Sequence, residues 1–183
     1  MLYTRKGDKG DTYFFGCDQR FSKTSERAEA LGGIDEINSL LGFCKMKVEE
    51  ENLKNILNRI QEDLFIIQAN LACLPAGRPA DYKKISQEKI NYLEGVIDAV
   101  EKELPEIKTF FIAGGSELSA LLDYARAVAR RAERSVVNLN EKTGKVEPLM
   151  LSYLNRLSSL LYAMARLANF KLGAKEIPPS YKQ

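Results

Sequence analysis

Apolar residues recur at steps of three and four through most of this chain, the spacing that lines one face of a helix. Ala30, Leu31, Ile34, Ile37, Leu41 and Cys44 mark a first helical segment over about 24–48. Ile56, Leu57, Ile60, Leu64, Ile67 and Leu71 mark a second over 52–73, after which Pro75, Gly77 and Pro79 break the pattern. Ile90, Leu93, Ile97 and Val100 mark a third over 86–103, with Ser86 placed as its N-cap and Pro105 just past its end. The link Phe110-Phe-Ile-Ala-Gly-Gly115 is apolar and then flexible, and Ser116 is placed to cap a fourth segment over 117–140. Gly144 sits in the next turn. Pro148 opens a fifth segment over 148–171 in the first-turn position it favours, and Gly173 closes it. Five helices with mostly short joints predict an antiparallel bundle. The Gly-rich first twenty residues are no helix, although residues 12–15 suit a short strand, and the tail around Ile177-Pro-Pro-Ser-Tyr181 is expected to be loose.

Composition narrows the classes of function. The 183 residues suffice for one well-cored domain, 45% of them are hydrophobic and 28% charged, and the net charge of +2 argues against a nucleic-acid partner. No apolar run approaches the ~20 residues of a membrane span, and the N-terminus lacks a signal peptide's apolar stretch. Three widely spaced cysteines, Cys17, Cys44 and Cys73, without a CxxC, fit reduced thiols and a cytoplasmic setting. Histidine is absent. That removes Ser-His and Cys-His couples, the usual His-containing zinc sites and the Glu-x-x-His di-iron site. An enzyme built from this chain would work by positioning and charge.

Polar residues that interrupt the apolar pattern mark the candidate chemistry. Arg126, Arg130 and Arg134 recur every four residues on the fourth segment, where each like-charge neighbour pair costs roughly 0.2–0.5 kcal/mol. A bound polyanion would make sense of that stripe, since arginine forks match phosphate oxygens. Surface ion pairs from Asp123 to Arg126 and from Arg130 to Glu133 are the plainer account. The loop Thr4-Arg-Lys-Gly-Asp-Lys-Gly-Asp-Thr12 offers two glycines, cations and hydroxyls to an anion, or is simply a charged arm. It is no Walker loop, because the Gly-Lys-Ser/Thr ending is missing. Gly114-Gly115-Ser116 reads as a turn before a helix. Asn155 and Arg156 interrupt an apolar helix, so Asn155 requires a specified partner, a helix–helix hydrogen bond being one solution. A buried Asp35 would need a cation, which the arginine segment can supply.

Taken in order, Thr4-Arg-Lys-Gly-Asp-Lys-Gly-Asp-Thr12, Asp35-Glu-Ile-Asn-Ser39, Gln61-Glu-Asp-Leu-Phe65, Arg130-Arg-Ala-Glu-Arg134 and Leu154-Asn-Arg-Leu-Ser158 resemble the PduO-type ATP:cob(I)alamin adenosyltransferases, from about residue 2 to 170. The resemblance implies an all-α fold of the ferritin-like, cobalamin adenosyltransferase-like class. It divides the single domain into an N-terminal nucleotide-binding loop (1–23), a five-helix bundle (24–171) and a tail (172–183). It also implies a homotrimer with active sites between subunits. By motif position, Thr4, Arg5, Lys6, Gly7, Asp8, Thr12 and Lys23 would bind ATP, together with Arg130, Arg131, Glu133, Arg134 and Asn155. Mg²⁺ is expected on the ATP phosphates, with Glu133 as the one carboxylate put forward for it. Asp35 and Arg126 look like the pair that crosses between subunits near the corrinoid, and Phe110 matches the aromatic that excludes the lower axial ligand of cobalt. Ala113, Asp123, Ser159 and Ser25 depart from the usual Pro, His, Asp and acidic residues at their positions.

The implied reaction suits a chain without histidine. Cob(I)alamin would attack the 5′-carbon of ATP and expel triphosphate, giving adenosylcobalamin without a general base. The protein would align the reactants and neutralise the leaving group through Arg130, Lys6, Lys23 and Mg²⁺. Phe110 would favour four-coordinate Co(II), which is easier to reduce. A flavoprotein or other reductase and an adenosylcobalamin-dependent enzyme are the expected partners. The other readings are a catalytically inactive ATP-sensing bundle and a plain scaffold.

Overall fold

The computed structural model describes residues 3–14, 20–74 and 83–181. Cys17, Phe15 and the breakers Pro75, Gly77 and Pro79 lie outside the described residues. Two short strands, β1 (Asp11–Tyr13) and β2 (Arg20–Ser22), precede five helices: α1 (Glu26–Met46), α2 (Glu51–Ala72), α3 (Gln87–Glu103), α4 (Glu117–Thr143) and α5 (Pro148–Lys171). The strands pair antiparallel with Thr12 opposite Phe21. The sequence pattern suggests β1 and misses β2, which is three residues long and carries no alternation.

Helix ends follow local chemistry. Ser25 accepts from the Ala28 amide and Ser116 from the Ser119 amide, so both helices begin one residue after a side-chain cap. Ser86 occupies the N-cap position of α3 without a side-chain cap bond. Helix α4 runs three residues past its expected end and stops at Gly144, whose φ of 63° only glycine adopts cheaply. Pro148 sits in the first turn of α5.

Helices α2, α1, α4, α5 and α3 pack as successive neighbours. The α1–α4 crossing is tight, since a β-carbon on Gly33 would lie 3.2 Å from Ala132 Cα. These two helices run antiparallel: Lys142 pairs with Glu26, Arg131 with Glu36, and Lys47 with Glu117. The apolar stripes meet in one core in which Ile34, Ile37, Leu57, Ile60, Leu64, Leu93 and Leu157 are fully buried, each contributing about 1.5–3 kcal/mol.

Side chains close the bundle between its outer helices. The Asp63 carboxylate on α2, 1% exposed, accepts from Tyr153 Oη on α5 at 3.0 Å and from Lys89 Nζ on α3. Burial, with Asp63 beside it, pushes the Tyr153 phenol well above its usual range. Arg59 stacks on Tyr92 with its guanidinium carbon 3.6 Å from the ring centroid. Among the described residues, no helix is long and apolar enough to cross a membrane.

The tail corrects the expectation of a loose end. Glu176 forms a bidentate ion pair with buried Arg166 at 2.8 and 2.9 Å, and Ile177 O accepts from the Ile112 amide at 2.8 Å. A charge buried on α5 needs a counterion, and the tail supplies it.

Candidate active site

The N-terminal loop is tied to the start of α1 by its own side chains. Gly10 N donates to Gly7 O at 3.2 Å, and Lys23 N to Gly10 O at 2.9 Å. Lys23 Nζ donates to Gly7 O at 2.8 Å. A side chain at Gly7 would be crowded, because a β-carbon there would meet Lys23 Nζ at 3.1 Å and Asp11 O at 3.2 Å. Arg20 grips the Asp11 carboxylate with two nitrogens and also donates to Lys6 O. The Arg20 hydrogen bond holds the Asp11 carboxyl below the ordinary carboxylate range. The loop fastens to the bundle where the Arg27 guanidinium lies over Phe21 at 4.5 Å and Phe14 at 5.4 Å.

Thr4, Arg5, Lys6 and Asp8 are exposed, and Thr12 is half-buried. Arg5 holds φ 58°, a conformation non-glycine residues rarely adopt. The amides of Asp8 and Gly10 are engaged inside the loop, so charged side chains, more than a nest of free amides, face solvent there. Arg20 is the organising residue that the sequence reading passes over. Its only signal is its place across a short hairpin from Asp11.

The arginines of α4 part company. Arg130 lines a cavity of about 560 Å³ together with Phe110, Phe111, Asp123, Arg126, Ser158, Ser159 and Tyr162. It also lines a second cavity of about 380 Å³ with Glu133, Arg134, Asn138, Glu141 and Asn155. Arg130 is the residue common to both. Among the described residues, neither Arg130 nor Arg134 has an ion-pair partner, so their charge is available to a ligand. Arg126 is different: its Nε donates to Asp123 at 3.1 Å, the i,i+3 pair allowed by the spacing. Arg131 is different again. One residue on, the helix has turned by about 100°, and Arg131 pairs with Glu36 of α1, away from either cavity.

Asn155 corrects the expectation of a core amide. It is exposed, its Nδ2 donating to Glu133 Oε1 at 3.0 Å and its Oδ1 accepting from Arg156 at 2.9 Å. It thus bridges α4 and α5 at the cavity rim and commits Glu133 to an amide, not to Arg130. Asp35 is also exposed and accepts from Gln68 at 3.2 Å. It has no need of a buried cation, and within one chain it makes no bond to Arg126. Phe110 is 80% exposed at the mouth of the larger cavity. Gly114 and Gly115, at φ 116° and 103°, form the turn before α4. Among the described residues, no group of three or more His, Cys, Asp or Glu side chains could hold a metal.

Within one chain the N-terminal loop and the arginine-lined cavities are therefore separate clusters. Among the described residues, no hydrogen bond or ion pair joins the N-terminal loop to Arg130, Arg134 or Asn155. The loop is rooted where α1 begins, beside Lys142 at the far end of α4, and Arg130 lies about 18 Å along that helix at 1.5 Å per residue.

A family model described as Cobalamin adenosyltransferase matches residues 2–168. A corrinoid adenosyltransferase of Bacillus subtilis is 40% identical over 180 residues, covering 96% of this chain and 90% of the relative. Corrinoid adenosyltransferase PduO of Citrobacter freundii is 39% identical over 165 residues, which are 90% of this chain but 49% of that protein. The chain thus spans about half the length of the PduO relatives it matches. Among solved structures, a variant PduO-type ATP:corrinoid adenosyltransferase from Lactobacillus reuteri, complexed with cobalamin and ATP, superposes with a TM-score of 0.87 at 34% identity, covering 98% of this chain and 99% of that one. Another variant of the Lactobacillus reuteri enzyme, complexed with ATP, gives 0.90 at 31% identity with the same coverage. The residues matched extend from the loop through α4 and α5, and the chain belongs to the cobalamin adenosyltransferase family.

Proposed function

We propose that the protein transfers the 5′-deoxyadenosyl group of ATP to the cobalt of cob(I)alamin, giving adenosylcobalamin and triphosphate. The observation that carries this reading is Arg130, a cation without an ion-pair partner among the described residues and shared by an aromatic-rimmed cavity and a polar one. The larger cavity takes the corrinoid, and the smaller takes the triphosphate end of ATP. The cobalt electron pair forms the bond to C5′ as the C5′–O bond breaks and its electrons leave with the triphosphate. Arg130 stabilises the charge that grows there, and no proton has to move. Mg²⁺ would sit on the phosphates, with Glu133 as a nearby carboxylate, since among the described residues no cluster of three or more His, Cys, Asp or Glu side chains offers a cage.

The split site supports completion by a second copy. The loop residues Thr4, Arg5, Lys6, Gly7, Asp8, Thr12 and Lys23 of one subunit would face Arg130, Glu133, Arg134 and Asn155 of the next, in a homotrimer. Arg131 is left out of the nucleotide set, since Glu36 already holds it. Exposed Phe43 and Phe65, on the α1–α2 face that also carries Asp35, supply apolar surface for such contacts. Asp35 and Arg126 meet across that interface. A reductase supplying the Co(I) state completes the cytoplasmic setting.

The test is spectral. Protein, MgATP and chemically reduced cob(I)alamin should give the adenosylcobalamin absorbance and one triphosphate per turnover. ATP binding without product would refute the transferase. Light scattering at the mass of a monomer, with activity retained, would refute the shared site.

A further inference from the structure

Phe110 sits on a loop of about a dozen residues between α3 and α4 that has no regular structure. Its ring is 80% exposed, so its own burial cannot hold it in place. The fixed points lie around it. Arg166 of α5 donates to Pro105 O at 3.0 Å where the loop begins, and its guanidinium lies over the Phe111 ring at 5.5 Å. Asn169 of α5 donates to Gly114 O at 2.8 Å where the loop ends. Between these clamps, the Ile112 amide donates to Ile177 O of the tail at 2.8 Å. Arg166 is 5% exposed and held by both oxygens of Glu176. The tail thus supplies one clamp directly and the counterion that fixes another.

We propose that the C-terminal tail, through Glu176 and Ile177, is a positioning element for Phe110, strapping the loop so that the ring stays over the corrinoid cavity. The proposal rests on the reading of Phe110 as the group that excludes the lower axial ligand of cobalt. Without the strap, the loop keeps the Asn169 clamp at Gly114 and loosens before it, and the ring samples positions away from the cavity. A misplaced group near the chemistry is costly even when every catalytic side chain is present. The loss should fall on cob(II)alamin, which needs the ring to become four-coordinate. Cob(I)alamin, already reduced, should be spared.

The experiment is Glu176→Gln in the full chain, assayed from cob(II)alamin with a reduced flavin and, separately, from pre-reduced cob(I)alamin. The expected result is a rate from cob(II)alamin lower by about tenfold or more, with the cob(I)alamin rate unchanged. The electron paramagnetic resonance signal of four-coordinate cob(II)alamin, formed with MgATP, should shrink in parallel. Glu176→Asp should restore part of both. If Glu176→Gln folds poorly, Arg166→Met combined with Glu176→Leu removes the pair without stranding either charge and should show the same split. Equal losses in the two assays, or none, overturn the proposal. Phe110→Ala separates the two levels. If it slows only the cob(II)alamin reaction while the tail variants do not, the strap alone falls. If it changes neither rate, the reading of Phe110 falls and the strap with it.

Discussion

Arg130→Ala divides catalysis from stability more sharply than any other change in this chain. Arg130 is exposed and, among the described residues, has no ion-pair partner, so its removal breaks no described ion pair. Arginine and alanine differ little in helix propensity, and the change favours alanine by a few tenths of a kcal/mol. Relief of repulsion from Arg126 and Arg134 adds roughly 0.2–0.5 kcal/mol for each pair, discounted for Arg126 because Asp123 already neutralises it. The net effect on folding is therefore between zero and about 1 kcal/mol in favour of the variant, a rise in Tm of at most roughly 2–4 °C. Catalysis should respond very differently. Losing one preorganised donor from a developing anion costs about 2.7–4 kcal/mol, or roughly 10²–10³ in kcat. Steady-state turnover from cob(I)alamin, measured beside a thermal melt, decides the matter. A kcat close to that of the parent would refute the leaving-group role. A lowered Tm would refute the claim that the guanidinium is unengaged.

Three other outcomes follow from the same structure. Tyr153→Phe removes a 3.0 Å donor from buried Asp63 and should cost about 1–3 kcal/mol, seen as a lower denaturation midpoint with turnover unchanged below the transition; an unchanged midpoint would show that the network is slack. Burial pushes the Cys44 thiol up to about 11, so it should resist alkylation at pH 8 until the protein unfolds. Because the unfolded thiol ionises first, its contribution to stability is full below about pH 8.5 and declines as pH rises from there towards 11; rapid labelling of the native protein would contradict this. Asp35→Asn should weaken corrinoid use through the proposed contact with Arg126 across the subunit interface, and leave ATP affinity intact, because Asp35 is not among the residues that line the smaller cavity; calorimetry showing the reverse would overturn its assignment.

Apolar periodicity makes the five helices legible because burial, not local preference, decides where a helix lies, and the stripes at Ile34–Leu41 and Ile56–Leu71 are unbroken. Partners that come together only in three dimensions leave no such trace. Asp63, Lys89 and Tyr153 look like three unrelated residues until α2, α3 and α5 pack around them. Glu176 reads as one more charge in a polar tail, since nothing in the sequence says that Arg166 is buried. For the site, the three-arginine spacing is legible and its division of labour is not. Arg131 is adjacent to Arg130 in sequence yet faces α1, and the motif alone could not separate the two. Arg20 escapes notice because its role is to hold backbone carbonyls and a carboxylate in the loop, with no motif of its own.

The stripe also has a direction. Arg126, which shares the larger cavity with Phe110, is neutralised by Asp123. Arg130 and Arg134, further along α4, are not. Among the described residues, the α4 guanidinium charge without an ion-pair partner therefore begins at Arg130, on the boundary of the two cavities. On the proposed function, a triphosphate in the smaller cavity would meet Arg130 and Arg134, while the corrinoid side offers in Arg126 an arginine already paired. On the same reading the C5′–O bond under attack would lie beside Arg130, where negative charge appears as the bond breaks. An arrangement with Arg126 also free would pull phosphate toward the cobalt cavity and blur the line between the two substrates. On the proposed function Asp123 would therefore hold the Arg126 guanidinium back from the phosphates, and Arg130 would be the first arginine of α4 without an ion-pair partner, among the described residues, that the departing oxygen meets.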